Sequence, residues 1–581
     1  MAKLEVFTQK NFKGGISDSS REGVKGSFRF GFGLDIQSDS EALSCNQKLK
    51  KESGEIVKDL ILFMVTGTDG VVYAFGDKGY IYSRQTDGTW SYITADADGK
   101  IWGAAIFPQS DATKGYIIYA TKNSLKRAFP AGLATPDTLG SMAYSAGGNL
   151  TWHTMIPALG VLMYCDGPYI GMFDFAGAFN AKALTLPGSD NYPKVKAESL
   201  IESGDVIMIG ARDIGGEGRA YLFTWDKVAL SWLSKKDMQA SSVNSIEFLE
   251  SGVIIQTGTG LKYWDTINLV PKKTIPGNGS TNPGAHALYN SRPYFGVRDG
   301  TRDGVYSYGR KDDTKSLALN LEYLISPIAN QSTLALMEEV LAARQFEIGS
   351  VCNANGTLLV SWAKRGLVTM TIANPAVFTW RNEVYPYDIE SHHYTDGQSI
   401  SFTTAGALPT GITANTLYYV RIIDATTFHL YDTYAHAIDL NATTGRVVTT
   451  GTQSGLHTGS MFGVDTIDTA NKAIAVYESL ESDFRLPAID KLGRFIKVCT
   501  KPLPAGTSVS VWYRMNGSTT WIAATTDSGE TSMHTTGQTK EIFSIDGQGE
   551  TMEIKLQLTP SANLTPEVVS INTYFEQLST I

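Results

Sequence analysis

Eight histidines are the residues of this chain best suited to hold a metal or move a proton: His153, His286, His392, His393, His429, His436, His457 and His534. Five of them fall between residues 392 and 457. Zinc needs three or four donors converging on one point, and these five follow no ligand spacing, so no metal site is expected. Cys45, Cys165, Cys352 and Cys499 lie far apart without a Cys-x-x-Cys pair, and read as buried free thiols of a protein folded in a reducing cytoplasm. Asp96-Ala97-Asp98-Gly99-Lys100 opens like a calcium loop, but its twelfth position is Phe107 rather than Glu, so a tight turn is expected. Glu338 and Glu339 are adjacent on a predicted helix and diverge, unlike the facing carboxylates of a glycosidase. Gly258-Thr259-Gly260 and Gly215-Gly216-Glu217-Gly218 lack the Lys-Ser/Thr of a phosphate loop. No Gly-x-Ser-x-Gly or His-Glu-x-x-His occurs. No catalytic, cofactor-binding or metal-binding residue is assigned, and the chain is expected not to be an enzyme.

The elements around these residues are strands. The 581 residues are only 18% charged and include 57 Gly, 27 Tyr, 24 Phe and 10 Trp, a composition of turns and pleated surfaces. The net charge of -9 disfavours a general nucleic-acid binder, which needs a basic surface to displace counterions. It suits walls past which a polyanion slides without sticking. The longest apolar run, Leu60–Val65, is too short to span a bilayer, and Met1–Val6 lacks a signal-peptide core.

Over residues 56–391 short apolar stretches recur about every 40 to 60 residues, near the length of a propeller blade. They are Val71–Phe75, Tyr116–Ala120, Gly160–Gly167, Val206–Gly210, Gly252–Gln256, Arg292–Val297 and Gly356–Trp362. A four-stranded blade cannot bury both faces alone, so an apolar strand must recur once per blade. Six or seven blades fit the length. Tyr221–Asp226 and Leu261–Asp265 both end in Trp-Asp and read as outer strands. Asp87-Gly88-Thr89-Trp90 and Thr519-Thr520-Trp521 resemble the Asp-box turn of sialidases, itself a structural hairpin. Arg298–Gly304 reads as a solvated loop. Leu334, Met337, Val340 and Leu341 have helical spacing, and Ser332 or Thr333 would cap a helix packed on a blade edge.

Residues 1–55 read as an extended N-terminal arm with one or two strands. Residues 392–460 read as an inserted β module and 461–581 as a C-terminal β-sandwich, in which Ser508–Arg514 and Met552–Leu558 alternate as half-buried strands. The expected fold is all-β: a β-propeller with an inserted small β module and a C-terminal β-sandwich.

Three stretches together resemble structural proteins of tailed bacteriophages. Lys10-Asn11-Phe12-Lys13-Gly14-Gly15-Ile16-Ser17 resembles the opening of tail nozzle proteins of short-tailed phages. Residues 398–459 resemble a small β module of phage virion proteins, through Thr404–Gly411, Tyr418–Val420, Ala425–Leu430 and Gly455–Gly459. Ser482–Lys491, followed by Trp512-Tyr513-Arg514 and Trp521, resembles the C-terminal sandwich of some phage tail proteins. The inserted module and the shorter length depart from the nozzle pattern.

The resemblance implies a virion protein of the phage tail, made in the host cytoplasm: a nozzle or tail-end ring around the DNA exit channel, expected to be hexameric. Its partners would be copies of itself, the adaptor and fibre proteins of the tail, and phage DNA passing through without specific binding. The N-terminal arm would reach onto a neighbouring subunit. The alternative is a receptor-binding or tail-fibre protein, with tyrosines of the module (Tyr418, Tyr431, Tyr434) stacking on sugars of a host surface receptor. No cofactor is expected.

Overall fold

The computed structural model describes residues 4–21, 25–36, 42–52, 54–108, 116–128, 136–145, 149–187, 195–214, 218–249, 252–258, 260–265, 268–274, 278–279, 282–298, 304–310, 317–329, 346–381, 392 and 396–578. The described strands form a propeller of seven blades with a module and a sandwich attached. Blade one runs from Ile61–Thr66 to Trp90–Ala95, blade two from Gly103–Ile106 to Asp137–Ser141, and blade three from Met155–Ala158 to Phe179–Thr185. Blade four runs from Val195–Ser203 to Ser234–Asp237, blade five from Val243–Leu249 to Leu269–Thr274, and blade six from His286–Tyr289 to Leu317–Leu324. The first strand of each blade neighbours that of the next, and the seventh meets the first.

All seven apolar stretches of the sequence are second strands of blades. The reason is burial: a second strand has a hydrogen-bonded neighbour on each side and another blade over each face. Val72–Gly76, Val161–Asp166 and Gly252–Thr257 are accordingly buried at every position. The fourth strand of blade four, Ser234–Asp237, is polar and faces solvent, whereas that of blade six, Leu317–Leu324, is apolar and buried where the sandwich covers it. The two Trp-Asp strands are third rather than outermost strands of blades four and five.

Blade seven joins distant parts of the chain. Phe346–Ala354 and Thr357–Met370 are its first two strands, His457–Lys472 is the third, and Gln47–Lys51 is the fourth. Leu49 pairs with Ile467 and is fully buried. The next residue but two, Glu52, takes the guanidinium of Arg84 from blade one at 2.7 Å. The N-terminal segment thus closes the ring instead of preceding it.

The sandwich is also built from both ends. One sheet orders Leu4–Gln9, Val568–Gln577, Lys491–Thr500 and Lys540–Gly549. The other holds Gly15–Ile16, Ser27–Phe32, Ala475–Ser479, Met552–Thr559 and Ser508–Met515. Phe28, Phe30 and Tyr477 share one core with Phe295, Tyr306 and Leu319 of blade six. The described part of residues 1–55 is therefore no free arm: Phe12, Phe28, Phe32 and Leu34 are buried, and paired strands carry the last three. An apolar alternation such as Phe28-x-Phe30-x-Phe32 needs a sheet face to cover it, and here that face is supplied from the far end of the chain.

The module grows out of blade seven where Thr357–Met370 and His457–Lys472 run past the blade edge. Phe378–Arg381, Ser399–Thr404, Tyr418–Ile422 and Thr427–Tyr431 complete it. It starts upstream of residue 392, because Leu367–Met370 pair with Phe378–Arg381. The predicted helix at 334–344, with Glu338 and Glu339, and His393 lie outside the described residues, as does most of the Arg298–Gly304 loop.

Candidate functional site

The sequence-selected residues serve the fold in most cases. Asp96 accepts hydrogen bonds from Tyr119 Oη (2.5 Å) and Lys126 Nζ (2.8 Å) inside a turn. In the Asp87 turn, Thr89 N–H donates to Asp87 Oδ1 at 2.9 Å. His153 is fully buried, with Nδ1 2.8 Å from the Cys165 carbonyl and Nε2 3.2 Å from that of Lys122. His392 lies 2.8 Å from the Asp424 carbonyl, His429 2.8 Å from that of Ala376, and His436 2.6 Å from Asp432. His457 meets Thr404 and Gln453. Among the described residues no three His, Cys, Asp or Glu side chains form a metal-binding group. The thiols of Cys45, Cys165 and Cys352 are buried, and burial raises all three.

Two of the three module tyrosines are unavailable to a ligand. Tyr418 is buried, its hydroxyl accepting from Thr413 N–H at 2.9 Å. Tyr431 is buried and accepts from Arg421 (2.6 Å) and Arg446 (2.9 Å). Tyr434 is exposed. Sequence pattern did not single out Arg421, a buried guanidinium that also donates to the carbonyls of His436, Ala437, Asp439 and Ala442. It secures the helix Tyr434–Ile438 and the loop after it; a lone Arg in an alternating strand carries no signal of that role.

Side chain and backbone tie the inner strands of blades six, seven and one together. Asn282 of blade six donates to the Leu62 carbonyl of blade one at 3.1 Å and to the Gly349 carbonyl of blade seven. Val351 N–H donates to the Gly284 carbonyl at 2.9 Å. Also on the inner strands, His286 Nε2 stands 3.3 Å from Glu247 Oε1. Burial pushes Glu247 up to about 7 and His286 down to about 4. Glu247 contributes stability fully below its unfolded value, and that contribution is lost as pH rises through 7. His286 acts oppositely, losing its contribution as pH falls through 4. Glu247→Gln should match the parent at pH 4.5 and exceed it by about 3 kcal/mol at pH 8. Thermal unfolding across that range checks this; a pH-independent difference would contradict it.

One surface stands apart because its exposure opposes the hydrophobic effect. In the loop between the third and fourth strands of blade four, Leu230 is 100% exposed and Val228 83%. The loop is nevertheless locked. Asp226 Oδ1 accepts from Val228 N–H (3.0 Å) and Ala229 N–H (2.8 Å), and those bonds hold its carboxyl below the usual range. Trp225 Nε1 donates to the Ala229 carbonyl at 2.8 Å, and Lys227 Nζ to the Leu159 carbonyl of blade three at 2.6 Å. Trp232 packs edge-on to Phe223 at 5.5 Å. Blade three presents an exposed Phe175 in its equivalent loop. Ordered aliphatic tips held clear of the core have the form of contact anchors. In the sequence, Tyr221–Asp226 reads as a strand, and the loop that follows it carries no signal of its own.

No family model and no curated protein matches the chain. Solved structures that resemble it include the WD40 β-propeller domain of Doa1, at 13% identity and a TM-score of 0.35, over 54% of this chain and 93% of that one. YCF48 bound to D1 peptide is 9% identical with a TM-score of 0.36, over 54% and 92%. A chain of the mitotic checkpoint complex is 12% identical with a TM-score of 0.35, over 54% and 91%. The propeller is established by the chain's own strand pairing.

Proposed function

We propose that this chain is a structural subunit of a bacteriophage tail, a nozzle or tail-end ring around the DNA exit channel. The observation that carries the assembly role is the locked, exposed loop Asp226–Leu233: an aliphatic anchor already ordered before it meets its partner keeps the entropic cost of association low. The phage assignment is supported by the sequence resemblances at residues 10–17, 398–459 and 482–491. The DNA passage in this reading lies between subunits, whose net charge of -9 each keeps the polyanion from binding.

Leu230→Asp places a charge where the anchor would be desolvated. It should weaken self-association by about a hundredfold, roughly 3 kcal/mol, while the melting temperature of the subunit stays unchanged because Leu230 touches no core. Light scattering over a concentration series reads this; identical oligomer mass in both proteins would remove the anchor from the argument. Electron cryomicroscopy of particles tests position. Copies ringing the DNA axis at the tail end support the nozzle, whereas peripheral copies support the second reading, a receptor-binding protein. That reading is favoured by the exposed Tyr434, Ile438 and Leu440 clustered on the module.

A further inference from the structure

A cavity of about 580 Å³ lies in the sandwich. One wall is the N-terminal strand and its continuation, Phe7 to Asn11; the other is Ser479 to Arg485. This size is that of a small-molecule site. The inner side is apolar, with Phe7, Phe484, Ile554 and Ile571. It is preformed: Phe484 and Arg485 both take left-handed backbone conformations, φ 54° and 64°, a strained pair of non-glycine residues. That backbone stacks Phe484 on Phe575 at 4.6 Å and sets Phe7 edge-on at 5.5 Å. The segment is pinned by Ser482 Oγ accepting from Phe484 N–H at 3.1 Å and Asp483 Oδ1 accepting from Arg485 N–H at 2.8 Å.

The rim has the opposite sign to the protein. Among the described residues, four cations line the cavity, Lys10, Arg21, Lys25 and Arg485, against two carboxylates, Glu481 and Asp483, a balance of +2 for those six in a chain of net charge -9. Arg21 is engaged by Glu481 at 2.8 and 3.1 Å, and Glu481 also accepts from Thr551 Oγ1 at 2.5 Å. The side chains of Lys10, Lys25 and Arg485 have no hydrogen-bond or ion-pair partner among the described residues. Three unspent cations over an aromatic and aliphatic floor select one ligand chemistry, an apolar body ending in an anion.

We propose that this cleft binds a small amphiphilic anion, with its apolar body on Phe7, Phe484, Ile554 and Ile571 and its carboxylate or sulfonate head at Lys10, Lys25 and Arg485. The inference stands independently of the tail reading. The test titrates the full-length chain with 1-anilinonaphthalene-8-sulfonate and, separately, with the uncharged N-phenyl-1-naphthylamine. One saturable site is expected for the sulfonate. In a Lys10→Glu/Arg485→Glu double variant its affinity should fall about tenfold or more, the loss of at least one charge-assisted hydrogen bond. The uncharged probe should bind both proteins alike, and a Lys10→Ala/Arg485→Ala variant should give an intermediate loss. Equal melting temperatures show that the variants are folded, since both side chains lie at the surface. Displacement of the sulfonate by dodecanoate identifies an acyl ligand, and displacement by naphthoate alone an aromatic one. Absence of a saturable site, equal sulfonate affinity in parent and double variant, or failure of both carboxylates to compete would each overturn the proposal.

Discussion

Removal of residues 1–51 should abolish cooperative folding of the whole chain, not merely release a tail. The segment supplies the outer strand of blade seven and three strands of the sandwich. It buries Phe12, Phe28, Phe32, Leu34 and Leu49, each at 3% exposure or less. Truncating one buried Phe to Ala costs about 3–5 kcal/mol, and a whole domain is stable by only about 5–15 kcal/mol. The summed loss exceeds what either unit can absorb. It also leaves His457–Lys472 with an uncovered edge in the last blade, which favours aggregation. Calorimetry of the truncated chain should show no cooperative transition, or expression should be insoluble. A truncated protein that melts within a few degrees of the parent would mean that the propeller closes without Gln47–Lys51.

The second large effect is expected at the paired glycines of the Lys10–Ser17 stretch. A Cβ on Gly14 would stand 2.2 Å from Ser27 N and 2.6 Å from Gly26 C. Gly15 has φ +70, and a Cβ there would stand 2.6 Å from the Leu319 carbonyl of blade six. Both obstacles are backbone, which cannot rotate away. This is where the sandwich meets the propeller, for Lys273 Nζ of blade five also donates to the Ile16 carbonyl at 3.0 Å. Gly14→Val and Gly15→Val should each cost about 3 kcal/mol or more. Gly517, also left-handed but with open space around it, should lose only about 1 kcal/mol on change to Ala. Denaturant unfolding of the three variants separates close approach from backbone conformation. Equal losses at Gly15 and Gly517, with none at Gly14, which is not left-handed, would show that conformation alone matters.

The glycine pair shows what a short motif does and does not reveal. Gly14-Gly15 was visible in the sequence as a feature of an expected arm. Its physical meaning, two backbones in contact at a joint, depends on Ser27 and Leu319 and so on the assembled fold. The same division holds for the tyrosines. Tyr418, Tyr431 and Tyr434 look alike in a β module, but two of them are buried, one against the Arg421 guanidinium, and only the third reaches solvent. Arg421 itself was silent, because a charged residue in an alternating strand reads as solvent-facing until the helix that it holds is in place.

What the sequence determined by itself was local and repetitive. It specified strands over nearly the whole chain, and one mainly apolar stretch per blade, because the second strand of every blade meets the same doubly covered environment. Turns such as Asp87–Trp90 were also legible, since their chemistry lies within four residues. Tertiary structure decided the closures. Leu49 finds Ile467, and Val6 finds Tyr574, across nearly the full length of the chain. Periodicity tells a strand which face to bury and says nothing about which strand will lie beside it. The N-terminal segment alternates like any edge strand, and only the open edges left by the last blade and the sandwich determine where it goes. The cationic cleft and the exposed loop at Leu230 arise the same way, from surfaces left over once those closures are made.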